Sequence, residues 1–259
     1  MPVSALRPRS VTEIVDTSFQ IFRAHAGPMV MCSAIAYVPV VLLQLLVVGD
    51  PARFESLDPS QAGQTIAVMM QSALVAVLSY TLMSAVLTIC ASQAYLGEEV
   101  DVGAAVRGAL SRLGTVLIVS MTVSTLIFVG FMFLLFPAMY VTARFFAINP
   151  AVLLEGCGAL DALSRSSELS RGRKWHVLNT LGLVLLIYFL VYFGVALVMQ
   201  VVDNFVLRTI IGALVTIGIY PIVAICNVLL YYDARIQSEG LDIELMADAL
   251  GPSSSPALR

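Results

Sequence analysis

The chain has 259 residues, of which 59% are hydrophobic and 12% charged, and its mean hydropathy is +0.93. A water-soluble domain carries roughly 25% charged residues, so a soluble fold of this length would lack the polar surface to cover itself; hydrocarbon is the solvent that accepts the excess. The net charge of −3 excludes the basic footprint of a nucleic-acid-binding protein.

In chain order, the first element is a short amphipathic helix. Ser10-Val11-Thr12-Glu13 has the form of a capping box, with Ser10 as N-cap and Glu13 reaching back. Val11, Ile14, Val15, Phe19 and Phe22 then form one apolar stripe, and Gly27 follows. The mixed segment before the first apolar run does not have the form of a signal peptide. The first span is expected over 29–48, with Pro28 suited to the first helical turn and Pro39 kinking it. The loop after it holds Asp50, Glu55 and Asp58 beside the lone Arg53. The second span, 66–96, would be about 46 Å of helix, which predicts one long or tilted crossing. Asp101 can cap a second short helix, whose Val102, Ala105, Val106, Ala109, Leu110 and Leu113 give a full amphipathic pattern before Gly114.

Between Thr115 and Leu154 the only charge is Arg144. One helix of that length would be about 60 Å, twice the hydrocarbon core, so the segment must fold back. Phe136-Pro137 is the natural corner, giving spans 115–136 and 137–154. Arg144 then falls near the middle of the returning span, where an arginine costs about 2.5–3.5 kcal/mol. Several readings follow. With Pro137 and Pro150 flanking it, the segment can be a broken helix that builds a polar site. Arg144 can instead cap freed carbonyls, pair with Gln44, Gln71 or Gln93, or snorkel from a shallow span. Glu155 ends the span about 16 Å along the helix from Arg144, too far to pair with it, and is expected to meet Arg165.

A third short helix is predicted over 159–169, where Leu160, Leu163 and Leu169 alternate with Asp161, Arg165 and Glu168; Gly172 follows. Arg171, Arg173 and Lys174 beside Trp175 read as an interfacial anchor. The last spans are expected over 175–202 and 209–232, joined by a short turn marked by Asp203, Asn204 and Arg208. Pro221 is expected to kink the last span, and Asn227 to act as helix–helix glue. Gly240 can end the final helix and Asp242 can cap a short amphipathic one bearing Leu241, Leu245 and Met246; 251–259 reads as a disordered tail.

The fold class is therefore all-α: a single membrane-embedded helix bundle over 1–250, with about six spans and three short amphipathic helices at the cytoplasmic face. Those helices are expected to lie in the interface against lipid headgroups, to pack as structural collars, or both. Charge bias supports the count. With six spans and both termini cytoplasmic, Arg7, Arg9, Arg23, Arg107, Arg112, Arg165, Arg171, Arg173, Lys174, Arg235 and Arg259 lie inside and only Arg53 and Arg208 outside. A single crossing over 115–154 would abolish this asymmetry.

No catalytic motif is present: there is no G-x-S-x-G, no H-E-x-x-H, no Walker loop and no carboxylate pair within an apolar run. Cys32, Cys90, Cys157 and Cys226 form no C-x-x-C pair and read as small core residues. His25 and His176 are too separated for a metal cluster, so no metal or cofactor is expected.

Two terminal stretches are distinctive. The first is Arg7-Pro8-Arg9-Ser10-Val11-Thr12-Glu13-Ile14-Val15-Asp16 with Phe19 and Phe22-Arg23. The second is Leu229-Leu230-Tyr231-Tyr232-Asp233-Ala234-Arg235 with Glu239-Gly240-Leu241-Asp242-Ile243-Glu244. With Glu155, Ala162 to Ser166, Leu169 and Gly172, they resemble bacterial proteins of the glycerophosphodiester phosphodiesterase membrane-domain family. The resemblance spans nearly the whole chain. It implies a stand-alone member in which the bundle is not followed by the soluble phosphodiesterase barrel of some relatives, so that activity does not carry over. It singles out Arg7, Glu13, Asp16, Tyr232, Asp233, Arg235, Glu239, Gly240 and Asp242 as motif residues. Ala234-Arg235-Ile236-Gln237 is less basic than in relatives, which argues against a lipid-binding tail.

The expected function is a non-catalytic scaffold or partner subunit, multi-pass in the bacterial inner membrane. Its expected partners are membrane lipids and a membrane or cytoplasmic protein. The alternative is a transporter or lipid-handling protein using a polar site around Arg144, with Glu155 and Arg165 at the inner face.

Overall fold

The computed structural model describes residues 9–45, 62–133 and 135–239. These residues form ten helices and no strand: α1 (Val11–Ala24), α2 (Ala26–Leu43), α3 (Ala62–Leu96), α4 (Val102–Ser111), α5 (Leu113–Phe133), α6 (Leu135–Arg144), α7 (Ile148–Leu153), α8 (Ala159–Leu169), α9 (Lys174–Met199) and α10 (Phe205–Glu239). Arg7, Arg53, Gly240, Asp242, the helix expected after Gly240 and the tail 251–259 lie outside the described residues.

The three short helices form where capping and pattern place them. At α1 the Ser10 hydroxyl accepts from the Glu13 N–H at 3.3 Å, and the Glu13 carboxylate accepts from the Ser10 N–H at 2.9 Å, a complete capping box. At α4 the Asp101 carboxylate accepts from the Ala104 N–H at 2.9 Å. The helix α8 has the predicted bounds, but its buried face is Ala162, Ser166 and Leu169, while Leu160 is 81% exposed. The glycines expected to divide each short helix from the next span behave differently from one another. Gly27 and Gly114 lie inside the first turns of α2 and α5, and the junctions fall at His25 and Arg112. Only Gly172 adopts a positive φ, 79°.

Among the described residues five helices are long and apolar enough to cross a membrane: α2, α3, α5, α9 and α10. The second span is one continuous helix, and Pro39 and Pro221 are accommodated within α2 and α10. The bounds differ most at α10, which runs well past 209–232 at both ends and, at 35 residues, is about 52 Å long.

The fourth expected span, 137–154, is not one helix. It is α6, about 15 Å long, and α7, about 9 Å, and neither alone matches a hydrocarbon core of about 30 Å. The break at Phe145–Ala147 frees backbone groups, and distant side chains satisfy them. The Ser166 hydroxyl of α8 accepts from the Ala147 N–H at 3.0 Å and donates to the Arg144 carbonyl at 3.2 Å. The Asn227 amide of α10 donates to the Phe146 carbonyl at 2.9 Å. Irregular backbone is tolerated in a bundle on that condition. The fold-back itself is set by Gly130 of α5, which lies against the backbone of Pro137 and Ala138 in the first turns of α6.

The core is built around α10, which packs against α1, α2, α3, α8 and α9 and buries Ile225, Leu229, Leu230 and Tyr231. The outer surface is apolar: Met132, Phe133 and Phe136 are each more than 70% exposed, and α9 presents Phe189, Leu190 and Phe193. So large an apolar surface is unfit for water and suited to acyl chains. The cysteines are free; Cys32 and Cys90 pack sulfur to sulfur between α2 and α3 at 2.7 Å.

Candidate functional site

The short helices gather around the C-terminal parts of α3 and α10, and the polar chemistry is concentrated there in three places. The first is an ion network. Glu155, in the turn after α7, receives two hydrogen bonds from Arg165 of α8: Nε at 2.7 Å and Nη2 at 3.1 Å, a bidentate fork. The Tyr231 hydroxyl donates to the same carboxylate at 2.7 Å and accepts from Arg235 Nη1 at 3.3 Å. Arg235 also holds Glu239 at 3.0 Å, and Glu239 pairs with Arg165, closing the ring. The predicted pairing of Glu155 with Arg165 is thus present. The carboxylates of Glu155 and Glu239 raise the Arg165 pKa further above its ordinary value, so its charge is permanent. Gly156, at φ 77°, lets the chain turn beside the Arg112 guanidinium, which would lie 2.9 Å from a Cβ there.

The second is Asp233, only 4% exposed. Its carboxylate accepts from the backbone N–H of Arg9 at 2.8 Å and from the Gln237 amide at 2.7 Å, tying the start of the described chain to α10. His176 Nε2 stands 3.7 Å away, beyond hydrogen-bond reach. Arg173 donates to the Ala234 carbonyl at 2.9 Å, and burial lowers its pKa despite the nearby Asp233 charge. Tyr232 stacks on Tyr95 at 4.8 Å between ring centres and shares a 2.6 Å hydrogen bond with Ser92, fastening α10 to α3. The guanidinium of Arg9 lies over the Tyr95 ring at 5.4 Å. Of the motif residues, Glu13, Tyr232, Asp233, Arg235 and Glu239 are therefore structural fasteners, and Asp16 accepts from Gln20 on the exposed face of α1. Replacing Asp233 with Ala leaves the Arg9 amide without its acceptor; an expected loss of about 1–3 kcal/mol is read as a lower unfolding temperature in detergent.

The third place holds Arg144. It ends α6 rather than standing mid-helix. It meets none of Gln44, Gln71 or Gln93; its Nη1 donates to the Tyr140 hydroxyl at 3.1 Å. Lys174, the first residue of α9, has its Nζ 4.2 Å from the centre of the same Tyr140 ring. Arg144 lines an open cleft with Arg171, Ser164, Ser167 and Glu168, on α8 and the turn after it. It does not join Glu155 and Arg165 in one site, because those two are closed into the network with α10. An open groove of about 300 Å³ lies between α3, α5, α7 and α10, where Tyr80, Ser84, Ser120, Ser124, Asn149 and Tyr220 stand among apolar residues such as Val77 and Val123, and Arg144 is not part of it.

Sequence reasoning met Tyr231 and Ser166 only as parts of the resembling stretches and Arg173 only as part of an interfacial anchor, so their contacts with Glu155, the α6–α7 break and Ala234 were missed, as were the groove hydroxyls. Among the described residues no group of His, Cys, Asp and Glu has the arrangement of a metal site. Compared with protein-family models, with curated proteins and with solved structures, the chain matches none.

Proposed function

We propose that the chain is a non-catalytic multi-pass protein of a bacterial inner membrane, a scaffold or partner subunit that presents its collar of short helices to the cytoplasm. The observation that carries this reading is the closed network of Glu155, Arg165, Tyr231, Arg235 and Glu239. Glu239 is held by two guanidiniums and Glu155 by the Arg165 guanidinium and the Tyr231 hydroxyl, with Arg235 3.8 Å away, so these groups set a rigid surface and are poorly disposed to act as acid, base or nucleophile. The cytoplasmic placement draws on the eleven cations that fall on the collar side when both termini are inside. The resemblance of the two terminal motifs to a membrane-domain family points the same way, toward a membrane bundle.

Affinity purification of the full chain in a mild detergent is expected to recover a stoichiometric partner, and incubation with glycerophosphodiesters to give no turnover. Recovery of the chain alone across several mild detergents, or hydrolysis of a diester, would refute the reading.

A further inference from the structure

The cations of the collar are not all treated alike. Arg165 and Arg235 are neutralised by Glu155 and Glu239, and Arg173 is engaged by a carbonyl of α10. Arg144, Arg171 and Lys174 have no carboxylate within 4 Å among the described residues. They come from three elements: Arg144 from the end of α6 and Arg171 from the turn after α8 share one cleft, and Lys174 at the start of α9 stands beside it. Arg144 and Arg171 line it, and Lys174 joins through the Tyr140 ring that Arg144 also touches. The cleft is open and offers about 430 Å³. Among the described residues Arg144 Nε has no hydrogen-bond partner. The one acid in the wall, Glu168, has a largely exposed side chain that reaches toward Arg165 at 4.0 Å, so it does not neutralise the cluster.

Neighbouring like charges repel, and an anion bound between them relieves that repulsion. The guanidinium forks of Arg144 and Arg171 and the hydroxyls of Ser164 and Ser167, with the Lys174 ammonium close by, make a cationic, donor-rich set that matches the tetrahedral oxygens of a phosphate. The surroundings give the depth. Trp175, 74% exposed and adjacent to Lys174, belongs at the headgroup level of a bilayer, where its ring is half in apolar surroundings and half wet. We propose that this cleft binds a phosphate group, supplied in the membrane by an anionic lipid headgroup. The proposal does not depend on the scaffold reading.

Trp175 is the only tryptophan in the chain, so its emission reports on the cleft without labelling. The full chain, purified in an uncharged maltoside detergent, is titrated in separate arms with phosphatidic acid and with inorganic phosphate. The expected result is a saturable change in Trp175 emission with phosphatidic acid. The apparent affinity should fall about tenfold or more in the Arg144→Gln/Arg171→Gln variant and stay unchanged in Arg208→Gln, at the other end of α10. Arg171 is exposed, so the single Arg171→Gln variant is expected to fold normally and to show an intermediate loss. A response to phosphatidic acid alone assigns the site to lipid, and an equal response to inorganic phosphate supports a phosphate site while overturning its assignment to lipid. No saturable response in either arm, or one that the double variant leaves intact, overturns the proposal.

Discussion

Replacing Glu155 with Ala is expected to lower the stability of the detergent-solubilised protein by about 2 kcal/mol. The estimate lies between the 3–5 kcal/mol cost of breaking a fully buried ion pair and the 0–1 kcal/mol of an exposed one. The side chains of Glu155 and Arg165 are 18% and 22% exposed, which is nearer the buried case. The loss comes chiefly from what remains. Arg165 and Arg235 are left sharing Glu239, with only the exposed Glu168 at 4.0 Å from Arg165 besides, and the Tyr231 hydroxyl loses its acceptor in a residue that is fully buried. Thermal unfolding in one detergent measures it, and the double variant Glu155→Leu/Arg165→Met gives the decisive comparison. Removing both partners leaves no orphaned charge, so the double variant should be more stable than Glu155→Leu alone. An unfolding temperature unchanged by Glu155→Ala would show that the network holds nothing together.

The second large effect is expected at Gly130. A Cβ built there lies 2.7 Å from the Ala138 nitrogen, 2.9 Å from its Cα and 3.1 Å from the Pro137 carbonyl carbon. These are backbone atoms of the first turns of α6, and they cannot move aside by changing rotamer. Gly130→Leu must therefore separate α5 from α6 at the fold-back, at an expected cost of about 1–3 kcal/mol, partly offset by the better helix propensity of leucine. Gly194, on the exposed face of α9, has nothing within 4 Å of its virtual Cβ and serves as the control. Gly194→Leu is expected to be neutral or stabilising by up to about 1 kcal/mol. Equal unfolding temperatures for the two variants would contradict the packing described for the hairpin.

The parts of the fold legible in the sequence are those specified locally. Ser10 with Glu13, and Asp101 before an amphipathic run, are capping signals whose partners lie three residues away, and the structure shows both hydrogen bonds. The long apolar runs marked α3, α9 and α10 because hydrocarbon length sets helix length. The break in the fourth pass was not located, because Phe145–Ala147 contain no glycine or proline. The groups that make the break affordable are Ser166 and Asn227, far along the chain, and no local pattern shows where they will land. The prolines that suggested a broken helix lie to either side, Pro137 in the first turn of α6 and Pro150 in that of α7.

The site divides in the same way. Glu155 and Arg165 were paired correctly because a short turn between two predicted elements leaves opposite charges little choice of partner. Counting residues from Pro137 puts Arg144 near the middle of the returning span, which the flanking prolines allow to be broken. The break shortens that span and leaves Arg144 at the end of α6, beside α8 and the start of α9. Tyr231 and Tyr232 are adjacent in sequence but face different partners, Glu155 and Ser92, a division set by the packing of α10 and not by residue type.

The central claim is that the polar collar lies on one side of a membrane and the turn between α9 and α10 on the other. Single cysteines at Glu98, Glu168 and Asp203, in a Cys157→Ser background in which the remaining native cysteines are buried, can be probed in intact cells with a membrane-impermeant maleimide. Asp203→Cys should be labelled from outside, while Glu98→Cys and Glu168→Cys should be protected until the membrane is opened. Labelling of Glu98→Cys and Glu168→Cys from opposite sides would contradict this arrangement, as would protection of Asp203→Cys together with them.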